Sequence, residues 1–328
     1  MALSATVVAF IPGPVRSANA EQPLTGPTFR FEPLVAGESG LTVAGTGTFR
    51  GAIEVRRNGR GLAVVNHLTL EEYVRGIDEV PPSWPAAALQ AQAIAARTYA
   101  AYKVLAAEAR WRDVGADICA TSTCQVYRGL DAEKRAKGYG WLRAVEDTAG
   151  RALLEGGRPI MGSYSSTANG PRAMSQNGAL EMANAGRSAP DILAAYYGLR
   201  PTLAPAKLPA TIKVAVEMSV ATVRISAPGP FRVLDSGGAV VTAGRGGDWA
   251  VTAGTGGVRL VPPETSAPEP APATSVPAVP VAFRSAGRVM TAAGPVPAPG
   301  RGAWALAAVA LTLVVTTSTI TLQRRRRA

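Results

Sequence analysis

Histidine is almost missing from this 328-residue chain, where His67 stands alone. That argues against nucleophile triads, whose base is an imidazole, and against metal-assisted hydrolysis on imidazole ligands. Cysteine is nearly as scarce. Cys119 and Cys124 are the only two thiols, short of the roughly four N or S ligands of a zinc site. Aromatic residues make up 6% of the chain, and no basic run is interleaved with them as on a single-strand nucleic-acid surface. No Gly-x-Ser-x-Gly elbow with a histidine partner supports a serine nucleophile. No repeat of fixed period points to a solenoid. These absences lead us to expect no metal, no cofactor and no nucleic-acid partner.

What is abundant is Ala, Gly, Pro and Arg, with a formal net charge of +11. Four of the positive charges are the run Arg324, Arg325, Arg326 and Arg327. The remaining excess reads as a solvated basic surface or as attraction to anionic wall polymers. Residues 1–20 read as a secretory signal, with a short apolar core and the Ala18-Asn19-Ala20 cleavage pattern. The basic residue expected near such a start is lacking. Residues 303–322 form an uncharged apolar stretch of about the 20 residues needed to span a bilayer. The arginines of 323–328 follow it, which places the C-terminus inside and the rest outside. An LPxTG-like wall-sorting word is absent just upstream, so a retained single span is expected. Residues 263–302, rich in Pro, Ala, Val and Ser, read as an extended spacer. Residues 201–262, with short Val-rich runs between Gly and Pro turns, read as a small all-β module. The body, 21–200, mixes both element types and predicts an α+β fold.

Within that body the stretch 70–104 stands out: LEEYVRGIDEVPPSWPAAALQAQAIAARTYAAYKV. Pro81, Pro82 and Pro85 each fix a backbone φ, so the loop around Glu79 is stiff. Ser83 reads as an N-cap, with Pro85 in the first helical turn. Behind it, Leu89, Ala93, Ala96, Ala100 and Val104 recur at three- and four-residue steps, one buried stripe of an Ala-rich helix. Gln92 and Tyr99 share one face, and Gln90 and Arg97 another. A glutamine or arginine buried there needs partners. Before this stretch, Asn58-Gly59 predicts a hairpin turn. After it, helices are expected at 141–148 and 190–198, strands at 152–154 and 160–166, and a turn or short helix at 131–140.

Several words in this order resemble the stage II sporulation protein D / amidase-enhancer (SpoIID/LytB) family. They are LEEYVRG, EVPPSWP, ALQAQAIAARTYA, DICATSTCQVYRG, WLRAVEDTAGRALLEGGRPI and YSSTANG. The resemblance covers roughly residues 49–197. It implies a peptidoglycan-active protein, secreted or membrane-anchored. Glu79 matches the glutamate given the catalytic role in the sporulation proteins. Two carboxylates serve most glycoside hydrolases, whereas a lytic transglycosylase works with one, as acid on departure and base on ring closure. A raised pKa, from desolvation among the prolines and Trp84, would suit that task. The competing reading pairs Glu79 with an arginine such as Arg97. Many relatives carry a longer loop with Glu-Met-Pro. Here Asp78 sits beside Glu79 and is expected to be solvated, with a fallback role as the acid.

For binding, the candidates are Trp84, Gln92, Arg97, Tyr99, Gln125 and Tyr127, with Ser165, Ser166, Thr167 and Asn169 on a Gly-containing turn suited to sugar hydroxyls and acetamido groups. The family often ends that word in Gly-Gly, and Ala168-Asn169-Gly170 departs from it. External thiols usually pair, so Cys119 and Cys124 are expected to form a disulfide that holds Gln125 and Tyr127. The alternative is a metal, assigned to this region in some members that have His before the second cysteine. Here Thr123 takes that place, and His67 reads as structural. The expected function is a glycan-strand-cleaving lytic transglycosylase of the cell wall, membrane-held with its N-terminal domain outside. The runner-up is a non-catalytic binder that stimulates a cell-wall amidase.

Overall fold

Alternation along the N-terminal strands sets which side of the sheet becomes core. In strand Thr28–Pro33, Phe29 and Phe31 are buried, while Arg30 and Glu32 lie on the more open face. Such period-two patterning is what one packed face demands. The computed structural model describes residues 24–35, 40–59 and 61–263. The segments read as leader, membrane span, basic tail and, beyond Pro263, spacer lie outside these residues. Among the described residues no helix is long and apolar enough to cross a membrane.

The fold is α+β. One sheet has seven strands, in spatial order Val240–Arg245, Pro230–Leu234, Thr28–Pro33, Ala52–Asn58, Gly61–Thr69, Thr211–Val220 and Ile118–Cys119. The hairpin between Ala52–Asn58 and Gly61–Thr69 closes where Asn58 pairs with Gly61. Gly59 there takes φ +55°, a left-handed value that glycine adopts without a Cβ penalty. A six-stranded sheet runs Leu24–Gly26, Gly257–Val261, Trp249–Gly254, Thr222–Ser226, Leu41–Val43 and Gly47–Phe49. Phe29, Phe31, Val55 and Val64 of the first sheet share one core with Val43, Ile225, Val251 and Leu260 of the second.

Residues 201–262 are therefore not a separate module. Strand Thr211–Val220 pairs antiparallel with Gly61–Thr69 and parallel with Ile118–Cys119, inside the first sheet. Pro230–Leu234 pairs with Thr28–Pro33, and Gly257–Val261 pairs with Leu24–Gly26. The physical reason is edge satisfaction. Strand Gly61–Thr69 presents a second edge beyond its hairpin, and the late strands supply the missing hydrogen bonds.

Among the described residues seven α-helices follow the first hairpin: α1 Leu70–Arg75, α2 Ala86–Ala106, α3 Ala109–Arg112, α4 Leu130–Ala136, α5 Trp141–Asp147, α6 Gln176–Asn184 and α7 Ala189–Tyr197. In α2, Leu89, Ala93, Ala96 and Ala100 are fully buried. So are Ala91, Ala95 and Ala101 to within 1%. A helix buried around most of its girth is central, and α2 packs against α1, α5, α6 and α7. Alanine allows that approach from several sides. The Ser83 cap does not form: α2 starts at Ala86 with Pro85 at the cap position and no side-chain bond. By contrast α1 opens on a full capping box, Thr69 with Glu72.

Candidate functional site

The Glu79 loop is held by backbone bonds before any side chain matters. Gly76 ends α1. Its carbonyl accepts from Arg128 N at 2.8 Å, and Asp78 N donates to Val126 O at 2.9 Å. Ile77 and Tyr127 form an isolated antiparallel bridge between them. The ladder ends on a side chain: Val126 N donates to Glu79 Oε1 at 2.5 Å. Gly76 must be glycine for this pairing. A Cβ there would lie 2.5 Å from Tyr127 Cε2 and 2.8 Å from Gly129 Cα.

The opposing segment is itself closed by the Cys119–Cys124 disulfide, with Cα atoms 5.5 Å apart. Cys119 N donates to Cys124 Sγ at 3.2 Å, and Tyr127 N to Ala120 O at 3.1 Å. This small loop aims Val126 at Glu79.

Beneath the carboxyl lies a buried network. Tyr73 OH donates to Gln125 Oε1 at 2.8 Å, and Gln125 Nε2 donates to Tyr164 OH at 2.7 Å and Ala96 O at 3.1 Å. Burial pushes the Tyr73 and Tyr164 hydroxyls well above their ordinary pKa, and the nearby Glu79 charge pushes the same way. Tyr164 belongs to strand Ser163–Ser165, so that strand lies within electrostatic reach of Glu79. Glu79 itself is raised above the usual carboxylate value, first by burial and further by the Asp78 charge, against the pull of the Val126 N–H. Among the described residues no Arg or Lys forms an ion pair with it. Arg97, the sequence candidate for that role, turns the other way.

Glu79 also lines a hollow of about 450 Å³, together with Asp78, Val80, Pro81, Pro82, Ser83, Arg135 and Tyr139. Asp78 is not solvated alone, since its Oδ2 accepts from Arg135 Nη2 at 2.5 Å. A second hollow of about 570 Å³ lies against the other sheet face, near His67 and Lys213. Its charged lining mixes signs (Arg30, Glu32, Glu72, Lys213), which suits no single ionic ligand. His67 itself faces Glu54 across the sheet, Nε2 to Oε2 3.3 Å.

Several expected binding residues are inside the protein. Arg97 is fully buried, gripping Glu71 through Nε (2.8 Å) and Nη2 (2.7 Å) and donating to Val145 O and Arg151 O. Tyr127 OH donates to Asn66 Oδ1 at 2.8 Å, and its ring stacks on Tyr73 and Phe49. Gln125 is spent on the network above. Gln92 is 1% exposed, its Oε1 3.5 Å from Gln176 Nε2. All four are buried in the scaffold: Arg97 and Gln92 because α2 is packed on most of its sides, Gln125 and Tyr127 because their segment lies against the core. Trp84 and Tyr99 are half-buried, and Lys103 Nζ lies 5.3 Å from the Tyr99 ring centre. Ser165, Ser166, Thr167 and Asn169 are exposed on their turn.

The sequence reading missed Val126, Arg135 and Tyr139. Val126 acts through its backbone, which no side-chain pattern reveals. Tyr139 did leave a signal, an aromatic bracketed by Gly138 and Gly140 in a polar stretch.

Residues 58–154 match the family model described as stage II sporulation protein. The chain is 34% identical over 118 residues to an uncharacterized protein of Brachyspira hyodysenteriae, covering 35% of this chain and 30% of that one. It is 34% identical over 115 residues to stage II sporulation protein D of Bacillus amyloliquefaciens, 32% of this chain and 33% of that one. The counterpart in Bacillus subtilis is 33% identical over 115 residues, with 32% and 34% covered. The match thus spans about a third of each curated relative. It contains Glu79, its prolines, α2 and the disulfide loop. Residues 58–154 and the ordered words around them are thus similar to the stage II sporulation protein D (SpoIID) family.

Proposed function

We propose that the chain acts on the cell wall as a peptidoglycan lytic transglycosylase with Glu79 as its one acid and base. The observation that carries this reading is the state of Glu79: burial raises its pKa, no cation among the described residues pairs with it, and the residue lines an open hollow. Oε1 is engaged by Val126 N–H, which fixes the position of the carboxyl.

In the first step the protonated carboxyl gives its proton to the glycosidic oxygen as the C1–O bond breaks. In the second, the carboxylate takes the proton from the 6-hydroxyl of the same muramic acid residue as that oxygen closes on C1. The product carries a 1,6-anhydro ring, and Glu79 is protonated again. No water is consumed, which is why one carboxyl is enough. The similarity to stage II sporulation proteins supports the cell-wall setting, and the expected leader and span support an external placement.

The test is incubation of the protein with purified glycan strands and mass spectrometry of the ends. New anhydromuramyl ends are expected. Glu79→Gln should lower their rate by about 10²- to 10⁴-fold, the usual worth of a general acid–base group. A parent that binds strands, never cuts them, and speeds a cell-wall amidase would instead establish the enhancer role.

A further inference from the structure

The wall of the Glu79 hollow includes two residues that no family word singled out. Arg135 lies near the end of α4, and Tyr139 in the turn after it. Large aromatic rings are usually mostly buried, yet Tyr139 is 56% exposed. Its turn is firmly placed. Tyr139 N donates to Ala136 O at 3.0 Å, and Gly140 N donates to Pro82 O at 3.1 Å. The second bond ties the turn to the loop that carries Glu79. Gly140 also abuts α2, where an added Cβ would lie 2.9 Å from Leu89 Cδ1. An open ring is thus fixed on the same hollow that Glu79 lines. Pro81 and Pro82 share that lining, both apolar and stiff. Arg135 is engaged by Asp78, so this wall offers a ring rather than a free cation.

We propose that Tyr139 is a stacking platform for a pyranose ring of the glycan beside the bond that Glu79 addresses. One face of such a ring is a patch of C–H bonds, slightly positive, and the face of an aromatic ring is negative. The sugar hydroxyls, lying round the edge, are left for polar groups such as Ser83. The ligand class is a neutral sugar ring in a chain. This inference rests on the glycan reading of the hollow.

The test titrates the full chain carrying Glu79→Gln, so that nothing is cut, with purified glycan strands in a calorimeter. Adding Tyr139→Ala should weaken binding by about 5- to 150-fold, the range for removing a stacking aromatic. Tyr139→Phe and Tyr139→Trp should stay within about threefold of the Glu79→Gln chain, since they keep the ring face. If Tyr139→Ala binds as well as that chain, the platform is wrong and the glycan reading stands. If Tyr139→Phe falls as far as Tyr139→Ala, the hydroxyl matters and stacking is wrong. If the Glu79→Gln chain binds no strands, both fall together.

Discussion

Glu79 carries two opposed demands in one carboxyl. It must stay protonated long enough to give a proton, yet be basic enough to take one back. Burial and Asp78 favour the neutral form, and the Val126 N–H favours the charged one. A folded-state pKa above the ordinary carboxylate value means this group stabilises the fold most at low pH. That contribution is lost as pH rises through the raised value. Glu79→Gln has no such loss. Thermal unfolding of parent and variant across the acid-to-neutral range should show the variant gaining on the parent as pH rises. Cleavage by the parent should fade over the same window. A pH-independent difference between the two would mean that Glu79 is not raised. Arg97 belongs to another class of buried group. Arg97→Ala would strip Glu71 and two backbone carbonyls of their donor. The cost should be about 3 kcal/mol by urea unfolding, the low end for breaking a buried pair, because the Glu71 side chain is 40% exposed and can rehydrate. The need of Arg97 and Gln92 for partners was legible from polar groups inside an Ala-rich helix. Whether the partner was a ligand or the protein was not, because spacing along one helix says nothing of what faces it.

Among elements, the loop after α1 is the sensitive one. Gly76→Ala should cost about 1–3 kcal/mol, as overpacking does, since the new methyl meets Tyr127 and Gly129. It should also slow cleavage more than it weakens strand binding, because it pushes the Glu79 loop off Val126 while leaving the Ser165 turn alone. An equal loss of both would show that the loop moves as a block with the rest of the site. The capping box that starts α1 is written in the sequence as Thr69-x-x-Glu72 and could have been read. The stripe of α2 was read directly: Leu89, Ala93, Ala96 and Ala100 are buried, and Val104 is half-buried against the same core. Its start was not, because Ser83 lies too far ahead of Ala86 to reach the first free N–H groups. Helix α6 escaped notice as well: Gly178 and Asn177 in its first turn are weak helix formers, and only the Ser175 cap marks its start.

Across the whole molecule, both sheets join early strands to late ones. A fragment ending at residue 200 keeps every residue proposed here for chemistry, yet lacks Thr211–Val220, the partner of Gly61–Thr69. It should show no cooperative unfolding transition by circular dichroism, whereas a chain running to residue 263 should. A cooperative transition in the short fragment would mean the late strands are dispensable. The pairing of Lys213 with His67 joins positions far apart in the chain. Bringing them together requires a large loop closure, and folds dominated by such distant pairings form in milliseconds to seconds rather than microseconds. Synthesis thus delivers the Glu79 loop well before the strands that complete its sheet. During that delay the bare edge of Gly61–Thr69 is open to the wrong neighbours. The timing of the last strands, as much as the chemistry of one carboxyl, decides how many copies ever become competent.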